Sequence, residues 1–216
     1  MRDRLLRIFE LLLARFGPRH WWPGDTPLEI MVGAILTQNT AWRNVERAID
    51  NMKAADLMDI TRIHEISEKE LADIIKPSGF FNIKSRRLKT FMAFLMDEYG
   101  GRIESLEFVT QETLRHQFLS LSGIGPETAD SILLYALERP VFVVDAYTKR
   151  FLKLHGISDG EEDYHEIQEF FTSNLPSDTA LFNEFHALIV RLCQTHCKKT
   201  PHCVGCALEG ERIGAG

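Results

Sequence analysis

All four cysteines of this 216-residue chain fall between Cys193 and Cys206, and that crowding is its strongest chemical signal. Thiolates in the pattern Cys193-x3-Cys197-x5-Cys203-x2-Cys206 can surround a tetrahedral zinc or an iron–sulfur cubane. Cys193 and Cys197 stand i, i+4 at the end of a helical run and so share one face. Cys203 and Cys206 come from the loop after Pro201. The opening residues are expected to lead into an amphipathic helix and not to be a signal peptide, and clustering in that setting favours a metal over disulfides. Spacing alone does not choose the metal.

A carboxylate is the second candidate. Asp145 follows the apolar run 141–144, too short for a helix of its own. It sits where an N-cap belongs, before an amphipathic run over 146–155 that Gly156 closes. A plain cap, held ionised by the helix end, is one reading. A fixed carboxylate near a bound phosphate backbone is also suited to stabilise a cationic sugar or to activate water. Upstream lies Leu121-Ser122-Gly123-Ile124-Gly125-Pro126. Its glycines permit positive φ and close approach of another backbone, and Pro126 suits a first helical turn. A helix predicted over 126–138 then offers bare N–H groups and a positive dipole end beside a glycine turn, an anion site. A simple tight turn is the competing reading. With a helix predicted over 111–119, the unit is helix, hairpin, helix.

The elements that must position these residues read as helices throughout. The first runs over 5–16 and ends at Gly17 and Pro18. The loop 19–25 carries Trp21 and Trp22, either a plug over the core or the wall of a pocket that stacks a base. Thr26-Pro27-Leu28-Glu29 is a capping box opening a helix over 28–36 that is apolar nearly all round. Thr37-Gln38-Asn39-Thr40 is its exit, and Trp42 is core or a stacking partner. Helices follow over 41–55, from the capping box at 67–70 to about 75, and over 84–99, ended by Gly100 and Gly101. Lys84, Arg86, Arg87 and Lys89 form the densest basic cluster, a solvated face or a set of phosphate contacts. Further helices cover 164–172 and run from Asp178 to about 196. The expected class is all-α, with about ten helices. Charged residues are 26% and hydrophobic ones 44%, ample for a globular core. No apolar run reaches the roughly 18 residues that a membrane span needs. The formal net charge of −6 runs against a naive nucleic-acid reading, but local patches decide binding.

The LSGIG hairpin with its helix, the VVDAY segment and the cysteines resemble the endonuclease III superfamily of helix-hairpin-helix DNA glycosylases. The resemblance implies a two-lobed fold with a C-terminal four-cysteine loop. A six-helix barrel would span 27–137, with the helix-hairpin-helix at about 111–138. The other lobe would combine 1–26 with 138–216. Duplex DNA carrying a damaged base would be the partner, its nucleotide flipped into the cleft between lobes. The hairpin residues Leu121, Gly123, Ile124 and Gly125 would hold phosphates, with Lys84 and Arg87 beside them, and Lys198, Lys199 and His202 presented from the cysteine loop. Gln38 would fill the gap left by the base. Asp145 would be the catalytic residue. Trp21, Trp22, Trp42 and Glu127 would line the base pocket.

Bifunctional members carry a Schiff-base lysine in the hairpin helix. Glu127 stands there, and a carboxylate cannot form an imine, so the resemblance implies a monofunctional enzyme. WWP, LTQNT and PSGFFN look closest to the 3-methyladenine DNA glycosylase III branch, which excises N3-alkylated purines. An oxidised-pyrimidine glycosylase with lyase activity, a mismatch glycosylase and a non-catalytic DNA-binding protein are the alternatives. For the metal, resemblance favours [4Fe–4S] over zinc. The usual spacing is C-x6-C-x2-C-x5-C. Here the last cysteine is missing near Arg212, and Cys193 would supply the fourth ligand. The expected state is a monomer without a membrane segment, acting on nucleoid DNA in the cytoplasm.

Overall fold

A computed structural model describes residues 1–210; Arg212 and the rest of 211–216 lie outside the described residues. The chain divides into two compact units, Trp22–Arg139 and Met1–Trp21 with Pro140–Gly216. The described residues are all-α, as expected, with no strand.

The unit Trp22–Arg139 is built on α2 (Pro27–Leu36), which has no polar face: Leu28, Met31, Val32, Ala34, Ile35 and Leu36 are all buried. Thr26 caps it by accepting the Glu29 N–H at 3.2 Å. The Glu29 carboxylate departs from a strict capping box. It reaches one residue further back, to the Asp25 N–H at 3.2 Å, and its other oxygen pairs with Lys53 at 2.9 Å. Around α2 pack α3 (Trp42–Ala54), α6 (Phe81–Tyr99) and α8 (Pro126–Ser131), the last continued by a π-helical turn over Ile132–Ala136. The small helices α4 (Ile60–Glu65) and α5 (Glu68–Ile74) pack on α6. A helix as short as α4 is beyond the reach of periodicity, although its Asp59 cap, which accepts the Arg62 N–H at 2.9 Å, was a readable signal.

Three boundaries differ from expectation by three residues or more, the first being the helix predicted over 5–16, which already starts at Arg2. The helix predicted over 84–99 starts earlier, at Phe81, behind Gly79 (φ 67°) and the left-handed Phe80 (φ 47°). The helix predicted over 126–138 is α-helical only to Ser131. The Leu137 N–H then bonds the Ile132 carbonyl at 3.1 Å, a wider turn in which all five π residues are buried. Helix α7 (Gln111–Ser120) precedes the hairpin. It is tied to α8 by Arg115, whose Nε and Nη2 donate to the two oxygens of the fully buried Asp130 at 2.7 and 3.1 Å.

The other unit contains α1 (Arg2–Phe16), α9 (Ala146–Leu154), α10 (Tyr164–Asn174) and α11 (Thr179–Thr195), with α11 packed on α1 and α9. Its core is aromatic. Phe142 stacks on Phe171 with centroids 3.9 Å apart and meets Phe182 and Phe185 edge-on at 5.6 and 6.3 Å. The extended run 141–144 is buried throughout, so it holds Asp145 rigidly at the start of α9.

Candidate active site

Asp145 is the N-cap of α9. Its Oδ1 accepts the Thr148 N–H at 2.7 Å and the Thr148 hydroxyl at 3.0 Å. Its Oδ2 faces His186 Nε2 of α11 at 3.5 Å. Burial pushes the Asp145 carboxyl up, but the His186 imidazole and the two Thr148 bonds outweigh it and hold it below the ordinary aspartate range. The result is a carboxylate only 14% exposed that is held in its ionised form, with one oxygen tied to a helix end and the other beside an imidazole.

In the unit Trp22–Arg139 the hairpin is locked from three directions. Gly123 has φ 86°, and a Cβ there would collide with the Arg87 side chain, so both its conformation and its packing require glycine. Gln38 donates to the Gly123 carbonyl at 3.1 Å and to the Thr128 hydroxyl at 2.9 Å, and Arg87 donates to the Gln38 amide oxygen. The structure thus brings Gln38, Arg87 and Gly123 together in one polar knot. Leu121 is half-buried beside them. Glu127 is exposed on the first turn of α8.

Two of the expected DNA contacts need correction. Lys84 is buried at 1% exposure. Its Nζ donates to the Leu36 carbonyl at 2.8 Å and to the Ser78 carbonyl at 2.7 Å. Burial, with Arg87 nearby, lowers its pKa to about 8. It is an internal clamp that joins the end of α2 to the turn before α6, not a phosphate ligand. Replacing it with methionine strands two buried carbonyls, so Lys84→Met is expected to cost about 1–3 kcal/mol in a denaturant melt. The salt dependence of DNA binding should be unchanged. Ile124 is likewise buried, and its N–H is spent on the Leu121 carbonyl at 3.1 Å. The hairpin exposes Ser122, Gly123 and Gly125 instead. Of the remaining basic cluster, Lys89 donates to the carbonyls of His64 and Ile66, and Arg86 pairs with Glu68 at 3.2 Å.

Trp22 and Trp42 meet edge-to-face at 5.0 Å, and Tyr135 lies 5.0 Å from Trp22 on a tilted plane. Gly33 of α2 leaves the room, since a Cβ there would stand 3.2 Å from Trp22 Nε1 and 3.4 Å from Trp42. Tyr135, in the π turn, is a member that sequence reasoning missed. Trp21 belongs to the other unit. Phe80 was also missed. It is 65% exposed and holds a positive φ, a strained conformation of the kind that gathers at functional sites. The Lys84 clamp on Ser78 and Leu36 ties its turn to the one that carries Gln38.

Cys197, Cys203 and Cys206 line a pocket with Leu154, Leu208 and His196. The Leu208 N–H points at Cys206 Sγ at 3.5 Å. Cys193 is buried against Cys197 and donates to the Tyr147 carbonyl at 3.5 Å. Among the described residues no three His, Cys, Asp or Glu side chains surround a single point at metal-binding range. Lys198, Lys199 and His202 are exposed on the same loop.

The family described as "HhH-GPD superfamily base excision DNA repair protein" matches residues 32–177, which include the hairpin and Asp145. The chain belongs to this superfamily. It is therefore a DNA N-glycosylase of base excision repair. This HhH-GPD chain is 45% identical over 209 residues to a Methanocaldococcus jannaschii protein provisionally named a DNA repair glycosylase, covering 96% of this chain and 94% of the relative. It is 27% identical to endonuclease III of Thermotoga maritima, with 92% and 87% covered. Its structure is similar to that of the H. pylori 3-methyladenine DNA glycosylase bound to 1,N6-ethenoadenine. That comparison has TM-score 0.76 and 33% identity, over 89% of this chain and 96% of that one. An endonuclease III–DNA complex shares the HhH-GPD fold at TM-score 0.83 and 19% identity, with 99% and 95% covered.

Proposed function

We propose that this glycosylase is monofunctional and removes N3-alkylated purines from duplex DNA. The observation that carries the reading is the ionised, doubly anchored Asp145 together with Glu127 in the place of a Schiff-base lysine. The similarity to the H. pylori enzyme supports the alkyl-purine class. In this reading the exposed glycines of the hairpin take the DNA backbone, and Gln38, Arg87 and Phe80 meet the duplex where the base has left it. An apolar side chain held at a tight turn is suited to wedge between base steps. Trp22, Trp42 and Tyr135 offer aromatic faces to a methylated purine, which carries positive charge and is drawn to them. That charge also makes the base a good leaving group. Asp145 then needs only to stabilise the developing sugar cation and steer water to it.

The deciding experiment measures base release from methylated duplex DNA, thymine glycol duplexes and uracil opposite guanine, with strand breaks scored before and after alkali. The expected result is release of the alkylated base with breaks only after alkali. Breaks without alkali would make Glu127 the wrong guide. Release from uracil opposite guanine alone would favour a mismatch enzyme. That second reading has a specific support, 25% identity over 216 residues to a Thymine/uracil-DNA glycosylase of Pyrobaculum aerophilum.

The cysteine loop fits a [4Fe–4S] cluster held by Cys193, Cys197, Cys203 and Cys206. Three thiols face one pocket, a backbone N–H is already aimed at the Cys206 sulphur, and Cys193 touches Cys197. The group would act as a cross-link that fixes the loop bearing Lys198, Lys199 and His202. Protein purified without oxygen is expected to be brown and to contain iron. Cys203→Ala should lose both colour and iron. Colourless protein with one zinc would overturn the assignment.

A further inference from the structure

Among the buried titratable side chains that the proposed chemistry does not use, one faces the candidate carboxylate. His186 is 4% exposed in the middle of α11. Its Nε2 lies 3.5 Å from Asp145 Oδ2. That is beyond hydrogen-bond length but within ion-pair range. Phe142 meets its ring edge-on, with centroids 6.5 Å apart, and Phe142 is itself locked between Phe171, Phe182 and Phe185. The imidazole is therefore held by an aromatic wall and aimed at one carboxylate oxygen. Thr148 occupies the other oxygen with two bonds.

A carboxylate shielded from solvent to the point of 14% exposure is costly unless it is paired. The neighbouring elements supply few alternatives. From α9 come the Thr148 hydroxyl and N–H, with Arg150 further along. From α11 comes Cys193, whose thiol is turned to the Tyr147 carbonyl. Tyr164, at the start of α10, receives the Val144 N–H at 3.4 Å. The inward face of α1 is Leu5, Ile8 and Leu12. Among the described residues, His186 is the basic side chain within ion-pair range of Asp145.

We infer that His186 is the positioning residue for Asp145: it holds the carboxylate oxygen that Thr148 leaves open and, when protonated, supplies a countercharge to an aspartate mostly shielded from solvent. This rests on the reading of Asp145 as the catalytic carboxylate. His186 touches no reacting atom in this role; it acts only through Asp145. With His186 gone, burial of Asp145 is opposed only by Thr148. The carboxyl then ionises at higher pH and swings about its one remaining anchor.

The test is single-turnover base release from methylated duplex DNA across a pH series, for the full chain and for His186→Leu and His186→Gln. Melting temperature and DNA affinity are measured on each. His186→Leu is expected to be about 10- to 100-fold slower, the size of effect that misplacing a catalytic group produces. Its acidic limb should move to higher pH and its DNA affinity should be unchanged. His186→Gln keeps a donor of similar reach without the charge. It should recover part of the rate while its acidic limb stays displaced, and it keeps the inference testable if the leucine variant does not fold. A folded variant with the parent rate and the parent acidic limb would overturn the inference. Asp145→Asn in the same series separates the two ideas. If it keeps base release, the reading of Asp145 itself fails. If it loses release while the folded His186 variants match the parent, only the positioning role fails.

Discussion

Asp145→Asn is expected to abolish base release while leaving the fold intact. Asparagine caps a helix about as well as aspartate does, so it can still accept the Thr148 N–H that Asp145 takes at 2.7 Å. The negative charge is lost, however, and with it the ability to stabilise a sugar cation or to take a proton from water. A positioned acid–base group is worth about 10²–10⁴ in rate, so single-turnover release should fall by at least the lower of those factors at unchanged DNA affinity. The pH dependence has a definite sign. Because the Asp145 carboxyl is held below the ordinary range, activity should persist as pH falls through the usual aspartate range and fail only below it. The stability that Asp145 contributes is present above the unfolded-state value and is lost as pH falls through the lower folded value. Substantial release by the asparagine variant would sink the catalytic assignment.

Asp130→Ala is expected to be strongly destabilising to the helix-hairpin-helix. Arg115 holds Asp130 with two bonds, and the side-chain exposures are 20% and 0%. Removing one member of a buried pair leaves the other charge poorly solvated and typically costs about 3–5 kcal/mol. Partial access of water to Arg115 brings the expected loss to roughly 2–4 kcal/mol. For a chain of this size that corresponds to a drop of roughly 10 °C in melting temperature. The pair joins α7 to α8, so the hairpin between them should loosen and DNA affinity should fall with it. Replacing both partners, as Arg115→Met with Asp130→Leu, should recover much of the stability, since an apolar pair leaves no charge stranded. If the single variant melts like the parent, this ion pair does not hold the hairpin.

The parts of the site that were legible in the sequence are those written in local grammar. Gly123 announced a positive φ, and it has one; what packs closely against it is the Arg87 side chain and not another backbone. Asp145 announced a cap and is one. The spacing of Cys193 and Cys197 announced a shared face, and their side chains touch. Lys84 was misread because a lysine within Lys84, Arg86, Arg87 and Lys89 looks like its neighbours. Only the packed chain shows that its position points inward, at two carbonyls from separate segments. His186 was not singled out, because a lone histidine in an apolar helix has no local signature. Its partner lies 41 positions away (186 minus 145). Tyr135 was hidden in the same way, since a π turn among buried residues has no pattern distinct from that of a helix.

Sequence by itself determined the all-α class, most helix ends and the helix-hairpin-helix, because caps, prolines, glycines and apolar periodicity act within one or two turns of chain. Tertiary structure decided which charges are available to solvent, which polar groups knit the hairpin to α2 and α6, and what stands beside Asp145. Those properties depend on burial and on partners distant in sequence. A side chain's charge, reach and protonation follow from what surrounds it, and only the folded chain supplies those surroundings.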